Sequence, residues 1–276
     1  MESGRKTEIE RGLIKTNAGY LHYRAAGRGK PIVLLHINQQ SSALFLELMA
    51  VLAQELRVIA IDYPSHGMSD HVSGQPTIAD YAKCVVVVLD ALSASRASVL
   101  GEAVGAAVAI ELAVAHPQRI ENAVLVNCPY YVDSAATARA GGALKGGLRP
   151  SDASGFPTTR TIEFTLEHDA VHAPMQPSQS WMDRINVAQL EAGRERWQGV
   201  GALHQYDISG NLSRIGCPVL QLTGEHFQYV KHLDEFSRRV KNLRSEIIMG
   251  GRFCMAWERA EDIGRRTIEF LRSHDG

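Results

Sequence analysis

The residues that could do chemistry are centred on one short stretch, 98–107, which reads Ser-Val-Leu-Gly-Glu-Ala-Val-Gly-Ala-Ala. It begins as an apolar strand, passes through Gly101 and Gly105, and continues as an alanine-rich helix. This spacing matches the G-x-S-x-G turn, in which a serine on a strained backbone is the nucleophile. The central residue here is Ala103, whose methyl group cannot attack a substrate. The sequence therefore predicts the backbone of a nucleophilic site without its nucleophile.

Other reactive side chains do not form a metal or nucleotide signature. No pair of histidine, cysteine or carboxylate residues has metal-ligand spacing, and no G-x-G-x-x-G follows a strand in the required context. We therefore expect no metal and no cofactor. The cysteines are widely spaced without a C-x-x-C and are interpreted as reduced core residues, Cys84, Cys128, Cys217 and Cys254.

Composition argues against several classes of partner. The chain has 276 residues and a formal net charge of −1, without a basic patch, so nucleic acid and anionic membranes are not expected partners. The longest apolar run, residues 85–89, is too short to span a bilayer, and the polar N-terminus does not resemble a signal peptide. We expect a cytoplasmic protein that binds a small-molecule ligand or substrate, and a homodimer stays open.

The elements that must position this turn follow an α/β pattern. Buried apolar strands and helices alternate from residue 31 to about residue 128, which predicts a mostly parallel sheet with helices on both faces. Two antiparallel strands precede the alternation, at residues 9–14 and 20–24. The helices are predicted at 43–55, 77–91, 106–115, 233–240 and 261–271, and the later strands at 57–62, 122–128, 218–223 and 245–249.

The alternation is interrupted by a long segment, residues 133–205. It contains glycine and alanine tracts, prolines, and helical patterns around 160–168 and 182–197, without a strand pattern. A segment of this length is unusual for a plain loop. We therefore interpret 133–205 as an inserted helical lid, and 1–132 with 206–276 as one core domain.

Taken together, the motifs resemble the α/β-hydrolase fold over nearly the whole chain. That resemblance implies an eight-stranded, mostly parallel sheet with helices on both faces and a helical lid. The six similar segments, in family order, are Leu34-Leu35-His36, the stretch 61–70, the turn 101–105, the stretch 115–120, Thr223-Gly224-Glu225-His226, and Gly250-Gly251-Arg252-Phe253.

The departures from the family pattern carry the functional information. At the positions where the family has its serine, acid and histidine, this chain has Ala103, Phe227 and Arg252. A triad needs a nucleophile, a base within hydrogen-bond reach and an orienting carboxylate, and none of these residue types remains at its matched position. Ile37 replaces the glycine that lets the next N–H point at an oxyanion, so the oxyanion hole is an open question.

Arg252 is the most informative of these replacements. An arginine at the floor of a pocket is costly unless it pairs with a carboxylate, a phosphate or a carbonyl. Two alternatives stay open from the sequence. Arg252 binds an anionic or carbonyl group of a ligand, or it pairs with a protein acid such as Glu102 or Glu225.

The candidate catalytic residues are Arg252, His36 and Glu102, although a structural role is an alternative for each. The matching histidine at His36 is usually buried and hydrogen-bonded, and Glu102 precedes the turn residue and normally leans away from the pocket. Large lid side chains can line a pocket for aromatic groups, although a core role is the default. The candidate substrate-binding residues are Ala103, Val104, Ile37, Asn38, Cys128, Trp181, Trp197 and Phe227.

Three functions fit these observations. The first is a non-hydrolytic enzyme of the lyase, isomerase or cyclase type, acting on a small, largely apolar carbonyl- or carboxylate-bearing metabolite without an acyl intermediate. The second is a catalytically dead ligand-binding or interaction protein. The third is an engineered serine-to-alanine form of a hydrolase, which explains Ala103 but not Phe227 and Arg252.

Overall fold

The protein forms an α/β structure with one eight-stranded sheet, as the sequence predicts. The computed structural model describes residues 7–130 and 178–274. The strands are β1 (Glu10–Thr16), β2 (Gly19–Ala26), β3 (Pro31–Leu35), β4 (Arg57–Ile61), β5 (Ala97–Glu102), β6 (Ile120–Val126), β7 (Val219–Gly224) and β8 (Leu243–Ile248).

The sheet is mostly parallel, and β5 lies near its centre. The strand order is β1-β2-β4-β3-β5-β6-β7-β8. β2 is antiparallel to both β1 and β4, and the remaining neighbours are parallel. Because parallel strands end at the same edge, the loops that follow β3, β5, β6, β7 and β8 all leave the sheet on one side.

Helices flank this sheet, and the sheet separates two hydrophobic clusters. The described helices are α1 (Leu46–Leu52), α2 (Ile78–Ala91), α3 (Val104–Ala115), α4 (Gln179–Ala192), α5 (Gln198–Leu203), α6 (Ile208–Leu212), α7 (Leu233–Arg239), α8 (Met255–Glu258) and α9 (Ala260–Arg272). Short 3-10 helices span Ser42–Phe45, Gly193–Trp197 and Val230–His232. No helix among the described residues is both long enough and apolar enough to cross a membrane.

The central strands are apolar on both faces because both faces are covered. Val33 and Leu35 of β3 pack in the cluster that includes side chains of α2 and α3. The alternating residues Ile32 and Leu34 pack in the cluster that includes side chains of α1 and α9. A strand buried in this way loses the apolar–polar alternation of a half-exposed strand, which explains the continuous apolar runs in the sequence.

Several helices differ in detail from the predicted ones. The helix expected at 43–55 is a 3-10 turn followed by the short helix α1. The pattern at 182–197 forms α4 and a separate 3-10 turn, because Gly193 has a φ of 56° and ends the α-helix. The short helices α5, α6 and α8 were not predicted, and the predicted helical pattern at 160–168 lies outside the described residues.

Two helices of the segment predicted as a lid lie over the chain that follows β3. Arg184 of α4 donates to the carbonyl of Ala43 over 3.1 Å. It also forms a bidentate ion pair with Glu47, in which both N–O distances are 2.8 Å. The N–H of Val200 in α5 donates to Asn38 Oδ1 over 3.1 Å. These two helices, α4 and α5, are called the cover below, and they are attached to the sheet edge where β3 ends.

Close main-chain packing connects β5, α3 and β3. A methyl group added at Gly101 would collide with the carbonyl of Gly105, and one added at Gly105 would collide with the carbonyl of Leu35. These two glycines therefore allow α3 to start directly against the centre of the sheet. The same contact forces the chain to reverse sharply within the residues between them.

We expect Gly105→Ala to lower the free energy of unfolding by about 1–3 kcal/mol, because main-chain atoms must move to admit the methyl group. The matched control is Gly216→Ala, because an added methyl there meets nothing within 4 Å. That control should leave stability unchanged or raise it by up to about 1 kcal/mol. Chemical denaturation measures both variants, and equal losses would contradict the proposed main-chain contact.

Candidate active site at the carboxyl edge of the sheet

The residue at the centre of the site is Ala103, between β5 and α3. Its φ is 51° and its ψ is −107°, a conformation that a non-glycine residue rarely adopts. Its N–H donates to the carbonyl of Val126 over 3.0 Å, and its carbonyl accepts from the N–H of Ala106 over 3.0 Å. Such strain costs about 1–3 kcal/mol and persists only where neighbouring contacts impose it. The turn has the backbone of a nucleophile position and carries a methyl group.

The start of α3 presents a main-chain donor beside this methyl group. Val104 is the first residue of the helix, and the first N–H groups of any helix have no acceptor within it. Among the described residues, no hydrogen bond uses the N–H of Val104. The helix dipole adds positive potential at the same point. A carbonyl or anionic oxygen could therefore bind here.

The chain after β3 forms the neighbouring wall. Ile37 is buried, and its carbonyl accepts from the N–H of Gln40 over 3.4 Å. Asn38 is half-buried, and its side-chain oxygen is occupied by the N–H of Val200. A methyl group added at Gly199 would lie 2.7 Å from Asn38 Oδ1 and 3.6 Å from a side-chain carbon of Val104. The structure therefore brings Asn38 and Val104 together under α5.

His36 lies at the end of β3 and is fully buried. Its Nδ1 donates to the carbonyl of Ile37 over 2.7 Å, and its Nε2 accepts from the N–H of Tyr63 over 3.3 Å. Burial, with a smaller contribution from nearby His66, lowers its pKa to about 3. The ring is therefore neutral, and both nitrogens hold main-chain partners. Proton transfer through His36 would require one of these bonds to break.

Glu102 is fully buried and its carboxylate holds the start of α8. Oε1 accepts from the N–H of Met255 over 2.8 Å, and Oε2 accepts from the N–H of Ala256 over 3.1 Å. Burial raises the pKa of Glu102 to about 8, while the two N–H groups act in the opposite direction. Both oxygens are therefore engaged in joining the strand before the turn to the helix after β8.

Arg252 pairs with a protein carboxylate, which answers the question left open by the sequence. Its Nη1 lies 2.7 Å from Glu258 Oε1, and the two side chains are 14% and 18% exposed. Glu258 is neither of the two acids that the sequence suggested by name. Within residues 7–130 and 178–274, the buried Nε of Arg252 has no hydrogen-bond partner. One donor of the guanidinium is thus buried without a partner in the described part of the chain.

Asn127 is a site residue that the sequence analysis did not select. Its Nδ2 donates to the carbonyls of Arg252 over 2.5 Å and Phe253 over 3.1 Å, and its Oδ1 accepts from the N–H of Gly224 over 2.9 Å. Its amide also acts to lower the pKa of Glu102, against the larger effect of burial. Asn127 therefore ties together the ends of β6, β7 and β8. A polar residue directly after the apolar strand β6 was the available signal.

Phe227 and Cys128 supply apolar surface and no nucleophile. Phe227 is 4% exposed, and its ring centre lies 5.5 Å from that of Tyr229 and 6.1 Å from that of Phe253. Burial raises the pKa of the Cys128 thiol well above its usual range, so the sulfur stays protonated. The position after β7 is therefore aromatic in place of acidic.

The two predicted lid tryptophans differ in their surroundings. Trp181 of α4 is buried, stacks on Trp257 with ring centres 4.4 Å apart, and packs in the cluster that contains Ala103 and Ile37. Trp197 is half-buried at the end of its 3-10 turn, and no ring contact joins it to another described residue. In the described part of the chain, no group of three or more metal-ligating side chains could hold a metal ion.

We expect Arg252→Met to lower the free energy of unfolding by about 2–4 kcal/mol, because it removes the cation of a largely buried ion pair with Glu258. The double variant Arg252→Met/Glu258→Met should recover most of this loss. The control is Arg238→Met, because its pair with Glu235 is exposed (66% and 30%) and should change stability by less than about 1 kcal/mol. Additive losses in the double variant would contradict the pairing.

Known proteins with similar sequences match only part of their length. Haloalkane dehalogenase 2 of Mycobacterium tuberculosis is 30% identical over 120 residues, which cover 43% of this chain and 42% of that protein. The chain thus spans less than half the length of this relative.

Solved structures match over nearly the whole chain. A hydrolase from Pseudomonas aeruginosa PA01 superimposes with a TM-score of 0.78 at 22% identity, covering 98% of this chain and 99% of the other. The enol-lactonase from Burkholderia xenovorans LB400 gives a TM-score of 0.72 at 22% identity, and the match covers 95% of this chain and 100% of the lactonase. At this level of identity the likeness concerns the fold. The sequence profile described as "alpha/beta hydrolase fold" matches residues 30–253, and the chain belongs to that family.

Proposed function

We propose that this protein is a non-hydrolytic enzyme of the lyase, isomerase or cyclase type. It acts on a small, largely apolar metabolite with a carbonyl or carboxylate group, and it forms no covalent acyl intermediate. The observation that carries the proposal is the strained turn at Ala103, which keeps its φ of 51° although its side chain cannot react. Strained backbone of this kind concentrates at functional sites.

Loss of hydrolysis follows from the side chains around this turn. An acyl-enzyme needs a nucleophile and a base within hydrogen-bond reach of each other. We assign the positions of the nucleophile, the acid and the base to Ala103, Phe227 and Arg252. None of these side chains can take the corresponding role. Cys128 cannot replace the nucleophile, because its thiol is buried and protonated.

Carbonyl chemistry without a nucleophile needs polarisation and positioning. The N–H of Val104, at the positive end of α3, supports binding of a carbonyl oxygen. The Nε of Arg252 supplies a second donor in a largely dehydrated environment, while Glu258 balances its charge. Enolisation, elimination and ring closure all build negative charge on a carbonyl oxygen, so they share this requirement.

The runner-up is a ligand-binding protein without catalysis. It is favoured by His36, because both of its ring nitrogens are hydrogen-bonded to main-chain groups and its pKa is lowered to about 3. Glu102 is likewise engaged through both oxygens. If the protein is an enzyme, the group that transfers a proton would therefore belong to the substrate or would be a water molecule, in place of His36 or Glu102.

Native mass spectrometry of the purified protein, followed by incubation of the co-purified ligand in heavy-oxygen water, tests the proposal. The expected product is an isomer or a fragment of the ligand without solvent oxygen. Heavy oxygen in a newly formed carboxyl or hydroxyl group, above the exchange seen in a control without the protein, would mean hydrolysis and would overturn the proposal. A bound ligand that is recovered unchanged would favour the ligand-binding protein.

Ala103→Ser should not restore esterase activity, because no histidine or acid stands at the matched positions. The measurement is hydrolysis of p-nitrophenyl acetate, with Ala103→Gly as a control that also relaxes the strained φ. Both variants should stay at the background rate. Steady turnover by the serine variant alone would reveal a base near residue 103 and contradict the assignment of the triad positions.

A further inference from the structure

A second polar feature lies on the helix that covers the site. Gln189 of α4 is fully buried, and neither its side-chain oxygen nor its nitrogen has a hydrogen-bond partner among the described residues. A buried amide without partners is costly, and most buried polar side chains in folded proteins are paired. Gln189 therefore calls for a partner of another kind.

The helical spacing places Gln189 on the buried face of α4. Trp181, Ile185 and Gln189 follow one another at intervals of four residues and share the buried face of α4. Trp181 and Ile185 pack in the cluster that contains Ala103 and Ile37. Gln189 thus continues, by one turn, the face that packs against the candidate site.

Contacts on both sides of Gln189 in the sequence fix where this face lies. Before it, Arg184 binds the carbonyl of Ala43 in the chain that follows β3. After it, Val200 binds the side chain of Asn38 in the same chain. Gln189 lies between these two attachments, on the cover of the sheet edge where β3 ends.

Neighbouring amides show the same pattern and define what would bind. Asn186 Oδ1 and Gln198 Oε1 are also buried without a hydrogen-bond partner in the described parts of the chain, although Gln198 Nε2 donates to the carbonyls of Val72 and Gly74. The unpaired atoms are thus mainly acceptors, with one donor on Gln189. A carboxylate offers acceptors alone and does not match. A hydroxyl group both donates and accepts, and it therefore matches these unpaired atoms.

We propose that Gln189 binds a hydroxyl group of the ligand, and that it makes the site selective for neutral, hydroxylated carbonyl compounds. This inference rests on the proposed function, since it takes the ligand to lie beside Ala103. The carbonyl oxygen faces the N–H of Val104, and the hydroxyl group faces the cover helix. Gln189 is a binding residue and takes no part in bond making.

The test uses four probes, acetophenone and its ortho-, meta- and para-hydroxy isomers, with dissociation constants from calorimetry. The wild-type protein should bind at least one hydroxy isomer roughly tenfold more tightly than acetophenone, as expected for one additional hydrogen bond. Gln189→Met has a similar shape and removes the amide. It should abolish this preference, so that the ratio of the two dissociation constants falls to about one.

Melting temperature separates a ligand-binding role from a structural one. Gln189→Met should melt a few degrees higher than the wild type, because an unpaired buried amide is removed. Gln179→Met is the control, since Gln179 is exposed on the same helix, and it should keep the hydroxyl preference. A lower melting temperature for Gln189→Met would mean that the amide serves the fold, and it would overturn the inference.

Three further outcomes would also overturn it, and they are distinguishable. If acetophenone binds but no hydroxy isomer is preferred, or if Gln189→Met keeps the preference, the amide is satisfied by water and Gln189 plays no part in selection. If none of the four probes binds the wild type, the proposed carbonyl site fails, and the inference that rests on it fails as well.

Discussion

The site depends on one close approach, in which α3 starts against the centre of the sheet with no room for a side chain at Gly101 or Gly105. This contact forces the reversal at Ala103 and its positive φ. It also aims the first N–H of α3 across the ends of the neighbouring strands. The other residues of the site are arranged around this turn. The main-chain geometry of the turn is therefore kept although residue 103 has no reactive side chain.

Buried polar side chains then hold the surrounding loops at that point. Glu102, at the end of β5, binds the start of α8. Asn127, directly after β6, binds the end of β7 and the chain that follows β8. The Glu258 charge, which neutralises Arg252, contributes to the raised pKa of Glu102. Removing the Glu258 charge is therefore expected to lower the pKa of Glu102.

The sequence predicted the fold because its strongest signals are periodic. Continuous apolar strands separated by helices allow few arrangements and predict a mostly parallel sheet, and the resemblance to the α/β-hydrolase fold implied its eight strands. The partner of Arg252 could not be predicted, since Glu258 approaches it only through the one-turn helix α8, which has no sequence pattern of its own. Gln189 was missed for a different reason. A glutamine within a polar helix has the sequence signature of a surface residue, and only its burial distinguishes it.

The stacked pair Trp181–Trp257 has a spectroscopic consequence. The chain contains three tryptophans, and two of them lie with ring centres 4.4 Å apart, one on α4 and one on α8. Indoles at this separation share their excited states and give coupled bands in near-ultraviolet circular dichroism. Because α8 is fixed to β5 through Glu102, the sign and strength of those bands report the position of α4 alone. Near-ultraviolet circular dichroism of this tryptophan pair therefore reports whether α4 is packed against α8.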